Sequence, residues 1–427
     1  MLAALLRPHV TATLLDCTPI LQTPSKTMFQ SVQPAPPDPI LGLTDAFKAD
    51  PRAHKINLAV GVYQDEKGKT PTLAAVKAAE QWLLSNEPTK SYLGIDGSPG
   101  YTKATCKLLF GTQSELSTNG RAVGFQCPGG TGALRVAGDY LAASHKGATV
   151  WISDPTWPNH PSIFEASGLA TRTYPYFDAK ANGLAFDAML ASFDAIKPGD
   201  VVLLHGCCHN PTGIDPTIAQ WTAIAKKIKE KQALPLIDFA YQGFAEGLEQ
   251  DAAGLAALLK VCDEAMICSS YSKNFGLYRE RVGALTVVAA TADQAKTVQS
   301  QVKVAIRRNY SSPPAHGGLV VEHILGDAGL TQQWIDELAQ MRGRINGMRT
   351  ALRQGLDQRG VKLSAQGNGF IETQRGMFTM SGLTKDHVAR LKQDHAIYIV
   401  GSGRINVAGI DPSNLGTLCD AIAAVAG

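Results

Sequence analysis

The sequence of 427 residues predicts an α/β fold: a mostly parallel central sheet with helices on both faces, plus a smaller α+β domain. Two observations predict it. From about residue 120, short continuous apolar runs alternate with helix-periodic stretches, which is the pattern of parallel strands buried on both faces. A long helical pattern then covers 330–357, and after it come only short strands between helices.

Taken in order, "PAPPDP" (34–39) is extended, because proline fixes its own φ and restricts the residue before it. "INLAVGVY" (56–63) reads as a strand, and "LAAVKAAEQWLL" (73–84) as an amphipathic helix with Val76, Ala79 and Leu83 on one face. The strands of this mostly parallel sheet are expected at 149–153, 171–176, 201–206, 234–238, 265–269 and 283–288. In the long helix, Leu330, Trp334, Leu338, Met341, Ile345, Met348, Leu352 and Leu356 recur every three or four residues, over a length that can bridge two domains. "GMFTM", "AIYIV" and "RINVA" are the strands of the C-terminal cap, which the strand at 56–63 joins. This divides the chain into an extension (1–27), an arm with part of the small domain (28–70), a large domain (71–341) and the small domain (342–427).

Composition narrows the function. Forty basic against 37 acidic residues leave a net charge of +3, too weak a field to imply nucleic acid or an anionic membrane. A small-molecule partner is expected. Eight scattered cysteines form no disulfide framework, which points to a reducing compartment. Cys207, Cys208 and His209 are consecutive, so a strand cannot turn all three toward one metal ion, and no metal is expected. Residues 1–27 read as a disordered extension or an over-called start before Met28, because Arg7, Pro8 and His9 break their apolar stretch well short of a membrane span. The cytoplasm is the expected location; a secretory signal or organelle transit peptide in residues 1–27 is the weaker alternative, since the segment is poor in arginine.

In open α/β sheets ligands gather beyond the carboxyl ends of the strands. Trp157, Asn210, Asp238 and Lys273 each follow an apolar run closely. "PGGTGALRVAG" (128–138) opens a helix with Gly129, Gly130 and Thr131 at its mouth, where free N–H groups and the helix dipole favour an anion. The G-x-G-x-x-G form of nicotinamide-nucleotide sites is absent. "SSYSKNFGLYRERVG" (269–283) adds the hydroxyls of Ser270 and Ser272 and the planar fork of Arg281 around one lysine. A carboxylate ending a buried strand, Asp238, needs a cation or donors. A lysine for a Schiff base, a phosphate cradle and an acid for a ring nitrogen are together the requirements of pyridoxal 5'-phosphate (PLP). Asn210 and Tyr241 are placed to hydrogen-bond that ring's phenolic oxygen. Taken alone, Lys273 reads as a solvated amine, Asn-Pro-Thr-Gly (210–213) as a turn and Tyr241 as core.

From Met28 onward the sequence resembles the fold-type-I, class I aminotransferases, in their aspartate and aromatic amino acid branch. "DPILGL", "KINLAVGVY", "SYLGIDG", "PGGTGALRVA", "DPTWPNH", "HGCCHNPTG", "DFAYQGF", "SSYSKNFGLY", "ERVGA", "RRNYSSPPAHG" and "GSGRINVAG" occur in the family's order. The resemblance implies that Lys273 binds PLP covalently, Asp238 pairs the pyridine nitrogen, and Asn210 and Tyr241 bind the phenolic oxygen. Gly130, Thr131, Ser270 and Arg281 hold the phosphate, joined by the partner subunit's Tyr92. Trp157 stacks on the ring and His160 supports Asp238 from behind. Arg404 grips the substrate α-carboxylate near Gly61 and Asn210, while Arg307 reaches a distal carboxylate from the neighbouring subunit of a homodimer. Arg308 falls outside these contacts.

The reaction implied is ping-pong transamination, with Lys273 both anchor and general base and 2-oxoglutarate as the second acceptor. Two arginines spanning a dicarboxylate imply aspartate as donor, with aromatic amino acids as further substrates. Aromatic aminotransferase is the alternative, since "RRNYSSPP" and "SDPTW" resemble that branch. A PLP-dependent lyase or decarboxylase on this fold keeps Lys273 and Asp238 but has little use for Arg307. A non-catalytic module would lose parts of the set.

Overall fold

The apolar runs form the middle of a seven-stranded sheet, and residue alternation decides which face each side chain covers. The computed structural model describes residues 27–35, 38 and 40–427. Its large sheet contains β1 (Ala122–Pro128), β2 (Thr149–Asp154), β3 (Ala170–Pro175), β4 (Val201–His205), β5 (Leu234–Phe239), β6 (Ala265–Ser270) and β7 (Val282–Val288). The spatial order is β1-β7-β6-β5-β4-β2-β3. Only β7 is antiparallel to its neighbours; the other pairings are parallel. Six of these strands lie where the sequence predicts them, and β1 is the addition.

Val201, Leu203, Leu236, Met266 and Leu285 point to one face, against the helix Gly129–Ser144 and its neighbours. Val202, Leu204, Ile237 and Ile267 point to the other, against Ile218–Glu230 and Leu248–Leu259. Each such side chain, wholly withdrawn from water, contributes about 1.5–3 kcal/mol. Two filled faces hold the strands in register, and the register fixes what stands at their ends.

Residues 1–38 and 39–427 form separate units. In the first, Met28–Ser31 is a short 3-10 turn with Met28 and Phe29 exposed. The reading of 1–27 as an extension falls, Thr27 apart, outside the described residues. Among those residues, no helix is long and apolar enough to cross a membrane.

One expectation needs correction and one needs an addition. The strand predicted over 56–63 pairs only at Ile56–Asn57, beside Ile397–Tyr398. Beyond it, side chains take the carbonyls that a neighbouring strand would have used: Arg404 Nη2 donates to Ala59 O (2.5 Å), and Asn406 Nδ2 donates to Val60 O (2.7 Å) and Val62 O (2.9 Å). The long helix runs Ala328–Gln358, with Met348 half-buried against the core as expected and Arg349, which was not expected there, fully buried beside it. Arg349 is accommodated because its guanidinium donates to the carbonyls of Ile371, Gly376 and Phe378.

Candidate active site

β1, β5 and β6 end at one edge of the sheet, and β7, running the other way, begins there. That reversal brings Arg281, the residue before β7, beside Gly129 after β1 and Ser270 at the end of β6. Gly129 takes φ +77° as the chain turns into its helix, and a Cβ there would lie 2.5 Å from Arg281 Nη2. A Cβ on Gly130 would lie 3.0 Å from Ser270 Cβ. The glycines keep this hollow open between a helix N-terminus, a guanidinium and the hydroxyls of Thr131, Ser270 and Ser272. Such a donor set suits a phosphate.

The hollow is one end of a cavity of about 270 Å³. Of the residues named from sequence, Gly61, Gly130, Thr131, Trp157, Asn210, Asp238, Tyr241, Ser270, Lys273, Arg281 and Arg404 all line it. His160 stands behind Asp238, as expected. Tyr92 and Arg307 are elsewhere, together on a second cavity of about 930 Å³. Phe378 and Tyr278 line the first cavity and escaped the sequence reading, because an aromatic residue in a short strand or loop carries no mark separating core from site.

Asp238, the last acid of β5, is held by a chain of fixed donors. The Asn210 N–H donates to His205 Nδ1 (3.3 Å), which places the proton of a neutral His205 on Nε2. Burial keeps His205 neutral, lowering its pKa to about 3. His205 Nε2 then donates to Thr156 Oγ1 (3.3 Å), whose own proton goes to His160 Nδ1 (2.7 Å). His160 is left with its proton on Nε2, donated to Asp238 Oδ2 at 3.0 Å. Burial pushes the Asp238 pKa up, but His160, His205 and Lys273 together pull it below the ordinary carboxylate value. Oδ1 has no hydrogen bond among the described residues, so an ionised carboxylate presents a vacant acceptor at the cavity. A protonated ring nitrogen fits there.

Lys273 projects into the same cavity, its Nζ 4.9 Å from the centre of the Tyr241 ring. Burial lowers its pKa to about 8; Asp238 opposes that shift, and Arg281 and Arg404 add to it. The amine is therefore far more available as a nucleophile near neutrality than an exposed lysine. Tyr241 is buried, which raises the pKa of its phenol and keeps it a donor.

Arg404, on a short strand paired with Phe378–Met380, is only 2% exposed. It donates through Nη1 to Asn210 Oδ1 (3.1 Å) and lies 4.1 Å above the Phe378 ring. Burial lowers its pKa to about 10, so it stays charged near neutrality, and its Nε has no partner among the described residues. A buried cation with no carboxylate beside it suits a carboxylate ligand. By contrast, the cluster of Cys207, Cys208 and Asp251 gives no case for a metal. The Asp251 carboxylate already accepts the N–H groups of Gly243, Ala245, Glu246 and Gly247.

A lysine amine, a phosphate cradle and a carboxylate with one vacant oxygen thus fit PLP. A family described as aminotransferase class I and II matches residues 53–422. The aspartate aminotransferase of Salmonella typhi is 54% identical over 93% of this chain and all of its own length. The aromatic-amino-acid aminotransferase of Pseudomonas aeruginosa is 48% identical, covering 93% of this chain and 98% of its own. In three dimensions the chain resembles the aromatic-amino-acid aminotransferase of Burkholderia pseudomallei covalently bound to pyridoxal phosphate, with a TM-score of 0.91, 45% identity and coverage of 94% of this chain and 100% of that one. This chain belongs to the class I and II aminotransferases and is a PLP-dependent transaminase of fold type I.

Proposed function

We propose that the enzyme transfers the amino group of L-aspartate, and also of aromatic amino acids, to 2-oxoglutarate. The observation that carries this is the pairing of an amine lowered to about 8 at Lys273 with the carboxylate-free cation Arg404 in one cavity. The relatives bearing both substrate names support the range. Aromatic preference remains the second reading, favoured by the 48% identical aromatic aminotransferase.

When bound, PLP supplies an electron sink for the substrate's α-carbon. Lys273 would hold it covalently through Nζ, and Asp238 Oδ1 would keep a proton at the ring nitrogen. Tyr241 and Asn210 donate to the phenolic oxygen, and Trp157 covers a ring face. Gly130, Thr131, Ser270 and Arg281 hold the phosphate. Arg404 and Asn210 fix the substrate α-carboxylate beside Gly61, orienting the α-hydrogen toward the freed Lys273 amine. That Nζ takes the proton, as its lowered pKa permits near neutrality.

Tyr92 and Arg307 share a cavity of their own chain and are exposed, Tyr92 by 96%. We assign them to the site of a second copy in a homodimer, where the partner subunit's Tyr92 reaches the phosphate and the partner subunit's Arg307 the distal carboxylate. We assign 28–70 to an arm with part of the small domain, 71–341 to the large domain, 342–427 to the small domain, and the location to the cytoplasm.

The test is spectroscopic and kinetic. Purified holoenzyme is expected to be yellow and to bleach when aspartate is added without an oxo acid. Comparing aspartate, tyrosine and phenylalanine with 2-oxoglutarate ranks the two readings. Yellow protein unmoved by all three amino acids refutes both.

A further inference from the structure

Tyr278, five residues beyond Lys273, lines the cavity, and the mechanism above leaves it without a task. Its hydroxyl accepts the backbone N–H of Tyr63 at 2.9 Å. Its own carbonyl accepts Arg281 Nη1 at 3.0 Å. The segment it reaches, 58–63, forms the cavity wall that carries Val60 and Gly61. Elsewhere this wall hangs on the strand Arg404–Asn406, through the bonds to the carbonyls of Ala59, Val60 and Val62. Among the described residues, the bond from Tyr63 to Tyr278 is the one hydrogen bond joining 58–63 to the lysine-bearing segment 270–281.

We propose that Tyr278 is a positioning residue that sets the spacing between the carboxylate-binding wall and the Lys273 amine. The wall and Arg404 move as a unit because two side chains of one strand hold it. Without the Tyr278 hydroxyl that unit has no directed tie to the loop that carries the amine and, through the Tyr278 carbonyl, steadies Arg281. A substrate anchored at Arg404 then presents its α-hydrogen to Nζ over a wider range of distances. The phosphate cradle keeps its own donors, so cofactor binding is spared. This rests on the transaminase reading of the cavity.

The experiment is Tyr278→Phe in the holoenzyme, with PLP retention, KM and kcat measured for aspartate and for 2-oxoglutarate. A wider range of distances from the α-hydrogen to Nζ predicts a loss of kcat/KM of about tenfold, carried in kcat, with KM and PLP retention within about twofold of wild type. Both kinetic constants within about twofold of wild type overturn the proposal. So does a loss of PLP accompanied by a fall in kcat at unchanged KM, because the side chain then serves the cofactor. Should the variant not fold, Tyr278→4-aminophenylalanine keeps the ring and a weaker acceptor and must lower kcat with KM and PLP retained; a wild-type kcat overturns the proposal. Wild-type holoenzyme that turns over none of these substrates removes the underlying reading as well, which separates the two failures.

Discussion

The Lys273 cavity and the Arg307 cavity both hold residues expected to serve one reaction, yet they are built differently. In the first, charged groups are withdrawn from solvent and answer one another: Arg404 is 2% exposed, Asp238 is held by His160, and the Lys273 pKa is lowered to about 8. In the second, Tyr92 is 96% exposed, and among the described residues the Arg307 guanidinium hydrogen-bonds only to the Ser311 hydroxyl. Buried groups acquire their chemistry from the fold of one chain, whereas exposed ones acquire it from what docks on them. The comparison teaches that a single chain buries the reactive half of the proposed site and leaves Tyr92 and Arg307 on its outside, where the proposed second copy would use them.

The sharpest way to break this comparison is to cripple each half separately. Lys273→Ala removes the base and is expected to cost on the order of a thousandfold or more in kcat. Mixing it with Arg307→Leu, with subunits exchanged, is expected to restore about a quarter of wild-type activity, because half of the dimers are hybrids with one intact site. No recovery from exchanged subunits places both residues in the same subunit's site and contradicts the division.

Arg307→Leu alone is expected to lower kcat/KM for aspartate on the order of a hundredfold, and for tyrosine or phenylalanine far less. Equal losses count against its contact with a distal carboxylate. Within the buried half, Thr156→Val removes the hydroxyl that donates a hydrogen bond to His160 Nδ1. His160 is then free to change tautomer, and kcat is expected to fall by about tenfold with KM little changed.

The smallest effect is a titration. Because burial and two arginines hold the Lys273 pKa low, reductive methylation of its amine in the apoprotein is expected to rise through about pH 8. Exposed lysines react in step with deprotonation near pH 10.4. A Lys273 midpoint equal to theirs contradicts the burial described here.

The chemistry at strand ends was legible because it depends on local order: an apolar run followed by Asp238, or by Ser270, Ser272 and Lys273, marks the sheet edge wherever the strands pair. The glycines at 129 and 130 were legible for the same reason. What escaped depends on distant partners. "INLAVGVY" alternates like a strand, yet the side chains of Arg404 and Asn406, more than 340 residues away, take the carbonyls of Ala59, Val60 and Val62. Arg349 occupies an apolar-face position that becomes tolerable through three carbonyls of another segment. β1 lacks the mark of the other strands although "AVGFQCP" leads straight into the glycine turn, since polar Gln126 interrupts its apolar run.

Whether position 273 carries the cofactor decides the account most directly. Holoenzyme reduced with borohydride, digested and mapped by mass spectrometry should show the pyridoxyl group on the peptide containing Lys273 and on no other. An unmodified Lys273 peptide, with the label on another lysine or absent, would contradict the assignment of this cavity.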